Sequence, residues 1–119
     1  RELALEGVAV ALLARGADRL EEAAAAIAAE SGSTCHAFPA DLADAAALDA
    51  AMDAAEAALD GVDILVNNAG ATPMGRIGES DDATWQKSLS LKLMGYVRCA
   101  RRLTPAMRAR RWGRVVNII

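Results

Sequence analysis

The sequence contains few residues of the types that build disulfide scaffolds, metal centres or base-stacking surfaces. Aromatic residues make up 3% of the 119 residues, and the chain has one histidine, His36, and two cysteines, Cys35 and Cys99. The two cysteines are too few for a disulfide framework and lack the spacing of metal ligands. We therefore expect no metal site and no Cys–His catalytic pair, and we interpret the cysteines as buried thiols in the reducing cytoplasm.

Long apolar runs are also missing, although apolar residues make up 54% of the chain. No run approaches the ~20 residues that cross a bilayer, so we expect no membrane span. The chain opens at Arg1 inside a helical pattern, without a basic-then-apolar leader. Its length of 119 residues allows one domain or part of one.

Acidic residues do not occur after Asp82. All sixteen lie between Glu2 and Asp82, whereas nine of the thirteen basic residues lie between Lys87 and Arg114. This basic segment lacks the interleaved aromatic residues that stack on bases, and its arginines lie near a predicted helix C-terminus, where the helix dipole favours cations. We therefore predict a solvated or subunit-facing helix surface and no nucleic-acid partner.

Short apolar segments alternate with helical patterns. Strands are predicted at 8–14, 34–39, 62–66 and 114–119. The runs lack a polar alternation, which is typical of strands covered on both faces in a parallel sheet. The pattern therefore predicts a doubly wound α/β fold with right-handed crossovers.

Capping residues mark the helices between these strands. Asp18 and Asp44 are predicted to cap the first two helices, and Ser80 or Asp81 to open a third, longer one after a Gly- and Pro-containing loop at 70–78. Pro105 is expected to kink or interrupt that long helix.

Polar groups follow three of the strands. In open parallel sheets, ligands bind where the carboxyl ends of the strands meet. The polar residues at these strand ends suit a ligand that carries hydroxyl, amide and phosphate groups, such as a dinucleotide. Neighbouring strand ends would bind such a ligand together. These ends are Ala14-Arg15-Gly16, Ala40-Asp41-Leu42 and Asn67-Asn68-Ala69-Gly70.

The Asn-Asn-Ala-Gly tetrapeptide at 67–70, after an Asp-Ile-Leu-Val strand, is the most specific motif. Together with 40–42, Trp85, 103–107 and 113–118, it gives the chain a resemblance to the short-chain dehydrogenase/reductase family over essentially its whole length. The resemblance implies that residues 1–119 form part of a Rossmann-like NAD(P)-binding domain.

The resemblance also implies roles for individual residues. The segment of Asn67, Asn68, Ala69 and Gly70 is similar to the family segment that steadies the central sheet and lies against the adenosine ribose, so a structural role and a cofactor contact both stay open. Asp41 matches the family aspartate that reaches the adenine ring, with the Leu42 backbone beside it. Outside this motif, an aspartate before a helix is more often a turn residue.

Arg15 is the residue that bears most on the choice of cofactor. NAD-binding folds place an acid at the end of the second strand to hold the ribose 2′-hydroxyl, but residues 13–16 read Leu-Ala-Arg-Gly, with no acid before Asp18. A guanidinium can clamp a 2′-phosphate, so we predict NADP(H) as the preferred cofactor. The alternative is an NAD(H) enzyme in which Arg15 stacks on adenine or faces solvent.

Several family features do not occur in these 119 residues. The Gly-rich turn and first strand would precede Arg1, and the Tyr-x-x-x-Lys motif and its preceding serine are missing, because Tyr96 is followed four residues later by Ala100. We therefore expect a fragment of a domain, with unpaired strand edges. The isolated 119-residue chain should show no cooperative thermal transition, and observing one would contradict this expectation.

Lys92 occupies the place where the family has an asparagine in the long helix, which holds a water in the proton relay. A lysine there could hold that water or lower the pKa of neighbouring groups, which makes Lys92 a candidate catalytic residue. The alternative is that Lys92 extends to the surface.

The resemblance implies an oxidoreductase that transfers hydride between a nicotinamide and a carbonyl or alcohol substrate, with a tyrosine outside these residues moving the proton. A non-catalytic nucleotide-binding or oligomerisation subunit of the same fold is the alternative. The apolar residues of the long helix, 85–107, exceed one sheet-facing stripe, and the resemblance implies that this helix packs against its copy in a homo-oligomer.

Overall fold

The computed structural model describes residues 1–71 and 76–118 of the chain, which form two units, 1–61 and 62–119. Strands and helices alternate through both, as the sequence predicts. None of the helices in these described ranges is long and apolar enough to cross a membrane. The elements in chain order are α1 (Glu2–Leu5), β1 (Val10–Ala14), α2 (Ala17–Ser31), β2 (Cys35–Pro39), α3 (Ala45–Leu59), β3 (Ile64–Asn67), a 3-10 turn (Ile77–Glu79), α4 (Asp82–Leu89), a π-helical segment (Ser90–Met94), α5 (Gly95–Ala109) and β4 (Arg114–Asn117).

The first unit is built on a parallel strand pair. β1 and β2 pair from Val10 opposite Cys35 to Ala14 opposite Pro39, so both strands end at the same edge. Strand β1 begins two residues later than the apolar run predicts. The N–H of Val8 donates to the carbonyl of Leu3 and closes the end of α1, so Val8 belongs to the helix terminus.

The helix ends in this unit confirm one predicted cap and correct another. Asp44 is the N-cap of α3, and its carboxylate accepts hydrogen bonds from the N–H groups of Ala46 (2.8 Å) and Ala47 (3.1 Å). The prediction for Asp18 is wrong, because α2 begins at Ala17 with Gly16 as its N-cap, and Asp18 lies inside the first turn. The backbone of Gly16 has a φ of +79°, which glycine adopts without steric cost and which turns the chain from β1 into α2.

The core of the first unit is formed largely by one face of α3. The spacing of its buried residues follows the helical period. Half of them are alanine, which lets helix and strand backbones approach closely but buries little apolar area for each residue. They are Leu48, Ala51, Met52 and Ala55.

The second unit also contains a parallel pair. β3 and β4 pair from Ile64 opposite Arg114 to Asn67 opposite Asn117, so Asn67 is the last residue of its strand. The predicted loop at 70–78 lies partly outside the described residues, since 72–75 are not among them, and so does Ile119 at the predicted end of the last strand.

The long helix of this unit is divided at a different place from the one predicted. Pro105 lies inside α5 and does not end it; instead, the π-helical segment Ser90–Met94 separates α4 from α5. Pro105 removes one backbone donor, but Leu103 and Met107 on either side of it are buried and hold this part of the helix in place. At the other end, Asp81 caps α4, and hydrogen bonds from the Thr84 side chain and N–H hold the pKa of its carboxyl below the usual range.

Candidate functional site

Arg15, Asp41 and Leu42 lie at the carboxyl ends of adjacent strands in the first unit. Arg15 follows the last residue of β1, and Asp41 comes two residues after the end of β2. The N–H of Ala40 donates to the carbonyl of Ala14 (3.0 Å), so the backbone pairing of the two strands continues up to this edge of the sheet. The structure therefore brings together the three predicted binding residues of this unit.

A depression of about 610 Å³ opens beside Arg15 at this edge. Its walls include a second guanidinium, that of Arg19, which lies one helical turn further along in α2. Both arginines are exposed, and among the described residues no acidic side chain lines the depression. Two exposed guanidiniums without an acid suit a doubly charged anion such as a phosphate group.

Asp41 is exposed, and its carboxylate also forms one hydrogen bond with the backbone nearby. One of its carboxylate oxygens, Oδ1, accepts a hydrogen bond from the N–H of Ala43 (3.0 Å), which stabilises the turn leading to α3. Among the described residues, none donates to its other oxygen, Oδ2. Asp41 can therefore form the turn and still accept a hydrogen bond from a ligand.

Asn67 and Asn68 have different surroundings in the second unit. Asn67 is 5% exposed, and its Nδ2 donates to Oδ1 of Asn117 on the neighbouring strand (2.9 Å). Its carbonyl accepts from the N–H of Ile118 (2.9 Å), so the strand pairing continues past the last residue of β4. Asn68 is exposed directly after this tie. Asn67 thus has its amide committed to the sheet, whereas Asn68 is accessible to a ligand.

Lys92 lies against the end of the 67–70 segment. Its Cδ is 3.3 Å from the position that a Cβ on Gly70 would occupy, so the missing side chain of Gly70 provides the space for the lysine stem. One turn earlier, the hydroxyl of Ser88 donates to the carbonyl of Ala71 (2.7 Å). One turn later, the hydroxyl of Tyr96 donates to the carbonyl of Ile118 (2.9 Å). The face of the long helix that includes Ser88, Lys92 and Tyr96 therefore contacts the backbone that follows both β3 and β4.

Another depression in this unit, of about 450 Å³, lies away from these residues. It is lined by Arg114 at the start of β4 and by residues of the preceding turn, such as Trp112. Because Arg114 pairs with Ile64 at the start of β3, this depression lies at the amino ends of the strands, opposite to Asn67. Ligands of parallel sheets bind at the carboxyl ends, so we do not assign this depression to the site.

Cys35 and His36 are neighbours on β2 but do not form a reactive pair. Burial raises the pKa of the Cys35 thiol, which favours the unreactive protonated form. No group of three or more potential metal ligands occurs within 1–71 and 76–118. The charged side chains named at the carboxyl ends of β1 and β2 are a guanidinium, that of Arg15, and a carboxylate, that of Asp41.

Comparison with known proteins agrees with this arrangement of strands. The family model described as "short chain dehydrogenase" matches residues 1–119, the whole sequence. The chain belongs to the short-chain dehydrogenase family. Its α/β architecture with parallel strands is the one found in solved structures of this family.

Relatives in the short-chain dehydrogenase family are longer than this chain. Nodulation protein G of Rhizobium sp. (strain N33) is 41% identical over 118 residues, which cover 99% of this chain and 46% of that protein. L-Sorbose reductase from Gluconobacter frateurii, solved with NADPH and L-sorbose, has a TM-score of 0.90 and 38% identity over 98% of this chain and 44% of its own. A metagenomic short-chain oxidoreductase solved with NADP has a TM-score of 0.89 and 29% identity over 98% of this chain and 52% of its own. The chain thus spans about half the length of these proteins.

Three residues that contribute to these edges of the short-chain dehydrogenase fold were not singled out from the sequence. Arg19 lies four residues after Arg15, a spacing that places both at the same end of α2 and is visible in the sequence. Tyr96 has the same spacing from Lys92. Asn117 is recognised only from the strand register, because nothing in the sequence aligns it with Asn67.

Proposed function

We propose that the full-length protein is an NADP(H)-dependent oxidoreductase that transfers hydride between the nicotinamide and a carbonyl or alcohol carbon. The observation that carries the cofactor preference is the pair of guanidiniums, Arg15 and Arg19, beside the depression at the end of β1. An NAD-specific site of this fold would have an acid there, to accept a hydrogen bond from the ribose 2′-hydroxyl. The NADP and NADPH bound to two similar family structures support the same preference.

The residues of this chain bind and orient the cofactor in this proposal. Arg15 and Arg19 bind the 2′-phosphate, the open carboxylate oxygen of Asp41 accepts from the adenine, and the Leu42 backbone lies beside the ring. Asn68, Ala69 and Gly70 contact the adenosine ribose, and Asn67 holds that segment through Asn117. The bound cofactor supplies the hydride chemistry.

The test is binding and turnover by the full-length protein. We expect it to bind NADPH at least roughly tenfold more tightly than NADH, because the 2′-phosphate adds charge-assisted hydrogen bonds. It should also consume NADPH, followed by the absorbance of the reduced nicotinamide, with at least one compound of a panel of ketones and aldehydes. Equal binding of the two cofactors would contradict the NADP preference, and binding of neither would contradict the oxidoreductase.

The role of Lys92 in proton transfer is a separate proposal. Its place one turn from Tyr96 and beside Gly70 supports a position inside the site, where it holds a water of the relay. The alternative, in which the ammonium of Lys92 extends into bulk solvent, is compatible with the half-buried side chain.

We also propose a cytoplasmic location, since Cys35 and Cys99 are thiols and reducing compartments preserve thiols.

We further propose that the long helix forms a homo-oligomer interface. Leu89, Leu93 and Val97 lie at helical spacing and are 50%, 56% and 42% exposed. Large aliphatic side chains exposed together in this way favour a protein partner, and a second copy of the same helix would bury them.

Replacing Leu93 by glutamate should therefore dissociate the oligomer of the full-length protein, because the interface would have to bury a carboxylate without a partner. Sedimentation velocity should show a smaller species than the wild type at the same concentration. Lys87→Glu, on the other side of the helix, is the matched control and should sediment like the wild type. A wild-type protein that is already a clean monomer would contradict the interface.

A further inference from the structure

The stem of Lys92 lies beside the last residue of the Asn-Asn-Ala-Gly segment in the second unit. Its Cδ lies 3.3 Å, and its Cγ and Cε 3.7 Å, from the position of a Cβ on Gly70. Three successive carbons of the side chain therefore pack on the backbone of one residue. This contact places the stem of Lys92 beside a residue three positions after the end of β3.

The ammonium of Lys92 has no hydrogen bond or ion pair with any of residues 1–71 and 76–118. Three acidic side chains of this unit have contacts with other groups: Asp63 pairs with Arg110 (3.1 Å), Asp81 caps α4, and Glu79 accepts from the N–H of Arg76 (3.3 Å). The side chain of Lys92 is partly buried, and an ammonium without a counter-ion attracts an anionic group.

The helix places Lys92 between two contacts with the ends of the strands. Ser88, four residues earlier, binds the carbonyl of Ala71, and Tyr96, four residues later, binds the carbonyl of Ile118. Residues four apart share one helix face, so Lys92 lies on the face that meets the chain after both β3 and β4. The π-helical segment Ser90–Met94 contains Lys92, and such wide turns are frequent at functional sites.

We propose that Lys92 is a ligand-binding residue whose ammonium binds the anionic oxygen group, a carboxylate or a phosphate, of a small molecule held at the carboxyl end of β3. The inference rests on the proposed function for the existence of a ligand at this edge. It extends that function, because it predicts that the site selects a negatively charged ligand group in addition to the 2′-phosphate at Arg15.

The test separates the charge of Lys92 from its stem. Lys92→Met keeps a long apolar side chain on Gly70 and removes the ammonium, whereas Lys92→Arg keeps a cation. Lys87→Met, at an exposed position of α4, makes the same change in net charge and is the matched control. Each full-length variant is titrated in a calorimeter with inorganic pyrophosphate, with NADPH, and with pyruvate in the presence of saturating NADP+.

We expect Lys92→Met to weaken binding of at least one of these probes roughly tenfold, which is the loss of one charge-assisted hydrogen bond. Lys92→Arg should stay within about threefold of the wild type, since a cation remains. Lys87→Met should bind all probes as the wild type does. Weakening of both pyrophosphate and NADPH identifies a phosphate of the cofactor as the anion, and weakening of pyruvate alone identifies a substrate carboxylate.

Gly70→Ala gives an independent variant. The φ of Gly70 is outside the left-handed region, so alanine fits the backbone, but its Cβ would lie 3.3 Å from Cδ of Lys92 and displace the stem by a few tenths of an ångström. We expect Gly70→Ala to weaken the same probe as Lys92→Met. For pyrophosphate and pyruvate, which have no adenosine ribose for Gly70 to contact, Gly70→Ala combined with Lys92→Met should be no weaker than Lys92→Met alone.

Three outcomes would overturn the role of Lys92. In the first, Lys92→Met binds every probe as tightly as the wild type does, and in the second, Lys92→Met and Lys87→Met lose the same affinity. In the third, the wild type binds none of the anionic probes. The proposed function fails on a different result, the absence of NADPH binding by the wild type. If that occurs while pyrophosphate still binds in a Lys92-dependent way, the anion site stands without the cofactor assignment.

Discussion

Replacing Arg15 by methionine in the full-length protein should weaken NADPH binding by roughly tenfold to a hundredfold, the equivalent of one or two charge-assisted hydrogen bonds to a phosphate. NADH binding should change little, because NADH has no 2′-phosphate. Methionine keeps the apolar stem of the side chain, so the loss reports on the guanidinium. Binding of both cofactors is measured by calorimetry or by the fluorescence of the reduced nicotinamide.

Arg19→Met should have the same sign and a smaller effect, since Arg19 lies one turn further from the end of β1. The double variant should lose more NADPH affinity than either single variant, and the losses need not add because both guanidiniums would bind one phosphate. Higher salt should reduce the difference between wild type and variants, as expected for exposed charges.

Arg108→Met is the matched control for these variants. Arg108 is exposed near the C-terminal end of α5 and lines the depression at the amino ends of the strands, where no cofactor is proposed. It should leave binding of NADPH and NADH unchanged. A loss of NADH affinity as large as the loss of NADPH affinity in Arg15→Met would instead favour the stacking of Arg15 on adenine in an NAD(H) enzyme.

The fold could be predicted because its determinants are local. Short apolar runs without alternation indicate buried parallel strands, and the stripe that includes Leu48 and Met52 indicates the covered face of α3. Asp44 was identified as a cap because a side-chain oxygen before a helix has few other local partners. Asp18 was misassigned because Gly16, with its positive φ, starts α2 two residues earlier.

The contacts that define the candidate site are less local, and the sequence alone indicated only part of them. Arg15, Asp41 and the 67–70 segment were found because ligand-binding residues follow strands. The contact of Lys92 with Gly70 joins residues 22 positions apart and depends on the π-helical segment, for which the sequence contains no recognisable signal. The Asn67–Asn117 hydrogen bond depends on the register of two strands that lie 50 residues apart.

That asparagine pair leads to the second large expected effect. Asn117→Ala should lower the free energy of unfolding of the full-length protein by about 1–3 kcal/mol, because it leaves the buried Nδ2 of Asn67 without its acceptor. Asn67→Ala removes the buried donor itself and leaves the exposed Asn117 amide to water, so the double variant should be less destabilised than the sum of the two single variants. Urea denaturation followed by circular dichroism measures each value.

Asn68→Ala separates the structural role of this segment from its role in binding. Asn68 is exposed next to the buried Asn67, so its replacement should change the free energy of unfolding by less than about 0.5 kcal/mol. It should nevertheless weaken cofactor binding, because the proposal assigns Asn68 to the adenosine ribose. If Asn68→Ala bound NADPH like the wild type while Asn117→Ala was strongly destabilised, the segment would serve only to join the strands, and the cofactor contact would have to come from the backbone of Ala69 and Gly70.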